Sequence, residues 1–419
     1  MIETDALPNV AKTGGSEPFL RRVCIRNYKS IGACSVELGA LTVLVGRNGS
    51  GKSNFLDALC LVADGLQTSL DHAIKSRGGI DAVRRRSTGH PRNFAIQLEM
   101  TLENWDTAYY GFEVGSQPEG GFVVKREQLK TTTPTEERIV SHYLIKEGVV
   151  QAASRDNMPP AAKDRLYLVN AAGFPEFREV YDGLLAMGFY NVNPDAMKEF
   201  QSPDAKELLH HDGGNIASVV ARLNKDQPKI AERITKYLST IVPGITDVSR
   251  VALGPRETLE FRQGIDGATH PWRFYAASMS DGTLRALGTL VAVMQLVERG
   301  QKMPVRLVGI EEPETALHPA AAGALMDALR EASVHTQVLI TTHSPDLVDQ
   351  VNPEKDRLLA VQVIKGTTGI GPVDAASLEA IRKHLYSPGE LLRMDQLQID
   401  VHDLEHQRQM DLFGSIEDA

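Results

Sequence analysis

The sequence predicts an α/β protein: a mixed sheet, an antiparallel β subdomain, a helical insert and a short helical tail. Three observations carry that expectation. The apolar run LTVLV at 41–45 leads straight into a glycine-rich turn and an amphipathic helix with Phe55, Leu56, Leu59 and Val62 on one side. Two further apolar runs, VRLVGI at 305–310 and QVLI at 337–340, end in a pair of carboxylates and in Thr-Thr-His. Between them, residues 93–151 break into short alternating segments separated by Gly and Pro, the pattern of antiparallel pairing.

In chain order, residues 1–18 are polar and predict a flexible N-terminus. Residues 19–165 predict a first lobe: two strands around a turn (LRRVCIRNY, SIGACSVEL), the LTVLV strand, the glycine-rich turn with its helix, then the antiparallel segments. Residues 166–248 predict a helical insert. Ile216, Val219, Val220 and Leu223 follow the i, i+3, i+4, i+7 rule, and Ile230, Ile234, Tyr237, Leu238 and Ile241 repeat it ahead of Pro243-Gly244. Residues 249–373 return to α/β, with Leu259 and Phe261 in a hairpin, a helix after SMSDGT, a helix from Pro319, and the strand RLLAVQVI. Residues 374–419 predict a helical, charged tail ending in GSIEDA. Its apolar residues suit either a partner-docking helix or one packed on its own chain.

Composition narrows the class. With 419 residues, 42% hydrophobic and 24% charged, the chain can bury a large core. A net charge of −9 gives no global pull toward nucleic acid. Cys24, Cys34 and Cys60 lack metal-ligand spacing and sit in apolar runs, which predicts buried thiols in a reducing compartment. The start has no basic-then-apolar leader, and the apolar stretch near 286–297 is shorter than the roughly 18 residues a membrane span needs. A soluble, cytoplasmic protein with no membrane contact of its own is expected.

Four motifs carry chemistry. Gly46-Arg47-Asn48-Gly49-Ser50-Gly51-Lys52-Ser53 fits the phosphate loop G-x-x-x-x-G-K-[ST], after an apolar strand and before a helix. Glycines at 46, 49 and 51 let the loop amides, with those of Asn48, Ser50 and Asn54, turn toward a β-phosphate. Lys52 reaches the β- and γ-phosphates of ATP, and the Ser53 hydroxyl ligates Mg²⁺. Next, the strand 305–310 delivers Glu311 and Glu312 to its carboxyl end. Glu311 suits the Mg²⁺ shell, and Glu312 suits the base that orients and deprotonates water. Closing the strand QVLI, His343 can donate to the γ-phosphate. The fourth motif is Met279-Ser280-Asp281-Gly282-Thr283 at a helix start, which reads as an anion site or as a plain N-cap.

In kind and order these motifs resemble the phosphate loop, signature, carboxylate strand and switch histidine of ABC-type ATPases. The opening VCIRNYKSIGACSVELGALTVLVGRNGSGKSNFLDAL is similar to the start of RecF, SMC and OLD-type ATPases. The phrases EEPETALHP and SDGTLRAL resemble the stand-alone AAA-type ATPases near the OLD group, several of which sit in bacterial antiphage and toxin-like modules. HDGGNIASVVARL is similar to the short lid of that group. The resemblance implies an ABC/SMC-type ATPase head. It also implies ATP-dependent closure of two copies head to tail, with Ser280 and Gly282 contacting the γ-phosphate held by the other copy's Lys52. Asp281, Thr283 and Glu311 depart from the family's usual glycine, glutamine and aspartate. Gln97 is the nearby candidate for the family's loop glutamine, and His318 is expected to be structural or interfacial.

For purpose, the resemblance implies a nucleotide-gated dimer that regulates a protein effector such as a nuclease, with DNA as a candidate ligand. Lys75, Arg77, Arg84, Arg85, Arg86 and Arg92 form a basic cluster, which reads as a phosphate-binding face or as solvated surface. The stretch after the last strand is short for a catalytic domain, so no nuclease of its own is expected. Two alternatives are a nucleotide-gated scaffold with little turnover and the ATPase subunit of a membrane transporter.

Overall fold

The computed structural model describes residues 17–87, 89, 91–102, 106–132, 139–204, 208–295, 305–410 and 412–413. Most of the expected flexible start and the closing GSIEDA lie outside them. The first-lobe strands are β1 (Leu20–Tyr28), β2 (Ile31–Glu37), β3 (Leu41–Val45), β4 (Asn93–Thr101), β5 (Thr107–Ser116), β6 (Phe122–Thr132), β7 (Ile139–Lys146) and β8 (Val149–Ala153). Then come β9 (Met187–Tyr190), β10 (Ile245–Leu253), β11 (Arg256–Gln263), β12 (Trp272–Tyr275), β13 (Leu307–Glu311), β14 (Gln337–Thr342), β15 (Arg357–Ile364) and β16 (Thr367–Pro372).

Thirteen of these form one sheet in the order β8-β7-β6-β5-β4-β1-β2-β16-β15-β3-β14-β13-β9, and β10-β11-β12 form a small separate one. Around β3 the strands β15, β14, β13 and β9 run parallel, whereas β1, β2 and β4–β8 form an antiparallel wing. The expected antiparallel strands are therefore continuous with the parallel core. The two halves join at a thin seam, where β16 and β2 pair through a single residue pair, Thr368 and Ile31.

The parallel strands are buried on both faces, which is why they read as unbroken apolar runs. Successive residues point to opposite sides: Val43, Val308, Val338 and Ile340 join one core, and Leu44, Leu307 and Leu339 join the other. The first core is closed by helices Ile216–Asp226, Pro228–Ile241, Asp281–Met294 and Ala322–Ser333, through Leu223, Leu238, Leu290 and Leu329. On the other side, helix Lys52–Gln67 contributes Phe55, Leu59 and Val62 to the core that also holds Phe94, Phe112 and Tyr143.

Three strands escape the sequence pattern, one of them β12, which pairs with β11 beyond the expected hairpin. β9 lies inside the stretch read as helical, and β16 follows β15 after the two-residue turn Lys365-Gly366. Both are short; β9 is held by pairing with distant β13, and β16 mainly by its hairpin partner β15. Cys24 and Cys34 are buried as expected, but Cys60 is only partly so. No helix among the described residues is long and apolar enough to cross a membrane.

Candidate active site at the carboxyl ends of the parallel strands

Because β3, β14 and β13 are parallel neighbours, the segments that follow them emerge on one edge of the sheet, where ligands sit in such folds. After β3 comes the phosphate loop. Its first residue, Gly46, donates its N–H to the Thr342 carbonyl at 3.3 Å, tying the loop to the end of β14. Gly51 has φ 105°, and a Cβ there would stand 2.3 Å from Thr368 Oγ1, so only glycine fits. Ser50 is buried and its hydroxyl has no hydrogen-bond partner among the described residues, while Asn48 lines a neighbouring cleft of about 640 Å³. Gly49 bends the loop with φ 76°.

Lys52 opens helix Lys52–Gln67, whose first turn carries no acidic side chain to compete for an anion at its positive end. The ammonium is buried and donates to the carbonyls of Gly46 at 2.8 Å and Arg47 at 3.1 Å. Burial lowers its pKa, opposed by the carboxylates of Glu312, Glu314 and Glu311.

Glu311 closes β13 and accepts from Ser53 Oγ at 3.3 Å. Burial raises its carboxyl above the ordinary range, against opposing pulls from the Ser53 hydroxyl and the His211 ring. Glu312 has φ 43°, a left-handed conformation uncommon for a side-chain-bearing residue and typical of functional sites. Its N–H is held by Thr341, through the carbonyl at 2.9 Å and Oγ1 at 3.3 Å. Its Oε1 lies 3.9 Å from Lys52 Nζ and 3.0 Å from His343 Nδ1.

The chain thus brings Lys52, Ser53, Glu311, Glu312 and His343 together. Ser280 sits elsewhere: it caps helix Asp281–Met294, accepting from Thr283 N–H at 3.2 Å, while Gly282 abuts the Ala316 carbonyl. Asp281 pairs with Lys198 at 2.5 Å. His318 caps the turn Pro319–Ala321 by accepting from Ala320 N–H at 3.2 Å, a structural task. Gln97 does not reach the site. It lies mid-strand in β4 opposite Cys24, with β1, β2, β16 and β15 between it and β3, about 24 Å at the usual strand spacing.

Three residues at the site carry no sequence signature. Thr368 Oγ1 donates to the Ser50 carbonyl at 2.8 Å and shares a hydrogen bond of 2.7 Å with Ser30 Oγ, which accepts from Asn54 Nδ2 at 2.6 Å. Glu314 accepts from Thr342 Oγ1 at 2.5 Å, and burial raises its carboxyl. The only foreshadowing is positional: Glu314 lies two residues beyond Glu312, and Ser30 sits in the turn between the first two strands.

Much of the basic cluster is tied down by its own chain. Arg77 bonds Asp57 and Asp64, both at 2.8 Å, Lys75 pairs with Asp71, Arg84 with Asp81, Arg85 donates to Thr367, and Arg86 to the Asp81 carbonyl. Local acids answer three of these cations, Lys75, Arg77 and Arg84, while Arg85 and Arg86 bond a hydroxyl and a carbonyl of their own chain. The tail is likewise committed to its own sheet. Leu391, Leu397, Ile399 and Leu404 are buried in the core, and Leu412 and Phe413 pack with Cys24 and Ala95.

Comparison with known proteins places the fold. Residues 41–349 match the family described as "AAA domain, putative AbiEii toxin, Type IV TA system". The chain belongs to that family. No curated protein matches it. Among solved structures, it is similar to an Smc head domain bound to the C-terminal domain of ScpA, derived from Pyrococcus furiosus (TM-score 0.53, 13% identity, covering 88% of this chain and 99% of that one). It is also similar to an SmcHead bound to the C-winged helix domain of ScpA (TM-score 0.50, 16% identity, 86% and 100% covered). The AAA chain described here therefore has the fold of an SMC-type ATPase head.

Proposed function

We propose that this AAA-family chain binds Mg²⁺-ATP at the phosphate loop and hydrolyses it with Glu312 as base, between two copies arranged head to tail. The observation that carries the reading is the double approach to one carboxylate oxygen: Oε1 of Glu312 faces both Lys52 and His343. A base beside a phosphate-binding cation has a use in hydrolysis and none in binding alone.

On nucleotide arrival, Lys52 exchanges the carbonyls of Gly46 and Arg47 for the β- and γ-phosphates, and the loop amides and helix N-terminus take the remaining negative charge. Ser53 Oγ and Glu311 Oε2 fit a Mg²⁺ ion: their 3.3 Å separation is near the roughly 3 Å between adjacent ligands of an octahedral ion with bonds of about 2.1 Å. Held by Ser53 and Glu311, the ion would supply positive charge against the phosphates. Glu312 orients water and accepts its proton. The Nδ1–H of His343 holds the Glu312 carboxylate, and only a doubly protonated ring would also donate from Nε2 to the terminal phosphate. In their own chain Ser280 bonds Thr283 and Gly282 abuts Ala316, and in the two-copy reading both serve the site of the second copy.

The head's ATP state would then regulate a protein effector such as a nuclease in a DNA-related or antiphage system. Two observations support this direction: the toxin-module description of the family, and the partner-bound heads that share the fold. Turnover and mass of wild type and Glu312→Gln, each with Mg²⁺-ATP, test the core claim. The variant is expected to lose at least about 100-fold in turnover and to accumulate as an ATP-bound dimer. A wild type without turnover that the variant matches in mass would replace hydrolysis with a nucleotide-gated scaffold.

A further inference from the structure

The helical insert contributes a residue to the same edge of the sheet. β9 runs parallel beside β13, with Tyr190 level with Ile310, so the chain leaving β9 emerges one strand away from Glu311. The loop carrying His210, His211 and Asp212 is fastened there. Asn191 N–H donates to the His211 carbonyl at 3.0 Å, and Asn193 N–H to the Asp212 carbonyl at 2.9 Å. Behind it, buried Asn215 accepts from His210 N–H at 2.8 Å and donates to the Leu208 carbonyl at 3.0 Å. Asp212 turns the chain by accepting from Gly214 N–H at 2.9 Å, and Gly213 follows with φ 83° against Met197.

This framework fixes the His211 ring. Nδ1 lies 2.8 Å from the Phe189 carbonyl oxygen. A carbonyl only accepts, so Nδ1 carries the proton, and in the neutral ring Nε2 is left as a lone-pair acceptor. The ring is exposed rather than spent in the core, and Nε2 has no partner among the described residues. Such an arrangement, one nitrogen anchored on a carbonyl and the other presented, holds an imidazole in one tautomer toward a neighbouring site.

We infer that His211 is a positioning residue of the hydrolytic site, its Nε2 accepting a hydrogen bond from a water beside Glu311 and so ordering the oxygen shell that Ser53 and Glu311 begin. The inference rests on the ATPase reading above. It gives the insert a task at the reacting end of the nucleotide: a wall on the β13 side that the phosphate loop, lying on the β3 side, does not supply.

The test uses the full chain with Mn²⁺ as probe, titrated by electron paramagnetic resonance in the presence of a non-hydrolysable ATP analogue. His211→Asn keeps a donor for the Phe189 carbonyl and removes Nε2; His211→Gln places an amide oxygen near Nε2. Asn is expected to weaken Mn²⁺ binding about 10-fold with melting temperature and metal-free nucleotide affinity unchanged, and Gln to recover part of the loss. Wild-type Mn²⁺ affinity in His211→Asn, or equal loss in Asn and Gln with a lowered melting temperature, overturns the inference and leaves His211 a purely structural cap. A wild type that binds neither analogue nor Mn²⁺ overturns the ATPase reading and this inference with it.

Discussion

A methyl group on Gly282 would stand 2.2 Å from the carbonyl oxygen of Ala316. Ala316 itself has φ 65°, so the turn after Glu312 and the helix headed by Ser280 meet backbone to backbone, with no room for a side chain between them. Overpacking a fixed contact of this kind costs about 1–3 kcal/mol. Gly282→Ala is expected to lower the denaturant midpoint accordingly while Ser280→Ala, which loses a cap, costs about 1 kcal/mol. An unchanged midpoint for Gly282→Ala would mean the helix simply shifts away.

Thr368 ties the phosphate loop to the β1–β2 turn through the Ser50 carbonyl and Ser30. Thr368→Val keeps the shape and removes both bonds. At about 1 kcal/mol for each bond, ATP affinity is expected to fall roughly 5- to 30-fold by equilibrium titration. Wild-type affinity would show that the loop holds its shape unaided.

Arg77 is mostly buried and bridges Asp57 and Asp64 on helix Lys52–Gln67. Arg77→Ala leaves Asp57 with Lys29 and Tyr28 as remaining partners, so a loss of about 2–3 kcal/mol is expected, below the usual figure for a broken buried pair. Arg84→Ala, half tied at the surface, should stay within about 1 kcal/mol. Urea denaturation distinguishes the two; equal effects would return Arg77 to the surface.

Glu127 is fully buried, and burial pushes its carboxyl up to about 7 against hydrogen bonds from Tyr167 and Leu168 N–H and the Tyr143 and Tyr110 hydroxyls. The folded chain keeps this proton to about pH 7, whereas an unfolded chain releases it near pH 4.3. Between those values the folded state binds the extra proton, so stability falls as pH rises, by at most about 1.4 kcal/mol per unit. Glu127→Gln removes the titration and should flatten the slope between pH 5 and 7. A slope identical to wild type would assign it to other groups.

The parts of the site that the sequence disclosed are those whose residues are contiguous and follow an apolar strand: Gly46–Ser53, Glu311-Glu312 and Thr341-Thr342-His343. A strand's run announces itself, and its carboxyl end is where the chemistry hangs. What stayed hidden depends on pairing across hundreds of positions. Thr368 meets Ser30 over 338 residues, β9 is a strand only because β13 lies beside it, and His211 reaches the edge through β9. Charge showed the same limit. Six basic residues were visible as a cluster, but acids at 57, 64, 71 and 81 tie down three of them, Lys75, Arg77 and Arg84, and that is a matter of packing.

The seam between the parallel core and the antiparallel wing has a mechanical meaning. A ladder of many bonds resists bending; here one ladder pair, Thr368 opposite Ile31, joins the halves, supplemented by side-chain bonds such as Gln337 to Leu20 and Arg357 to Glu37. Thr368 also supports the floor on which a triphosphate would rest. Hinge pin and cradle are one residue. A ligand in the cradle would therefore bear on the joint between the two halves, and at the far end of the wing the outermost strand, β8, leaves Val149 exposed along an unpaired edge.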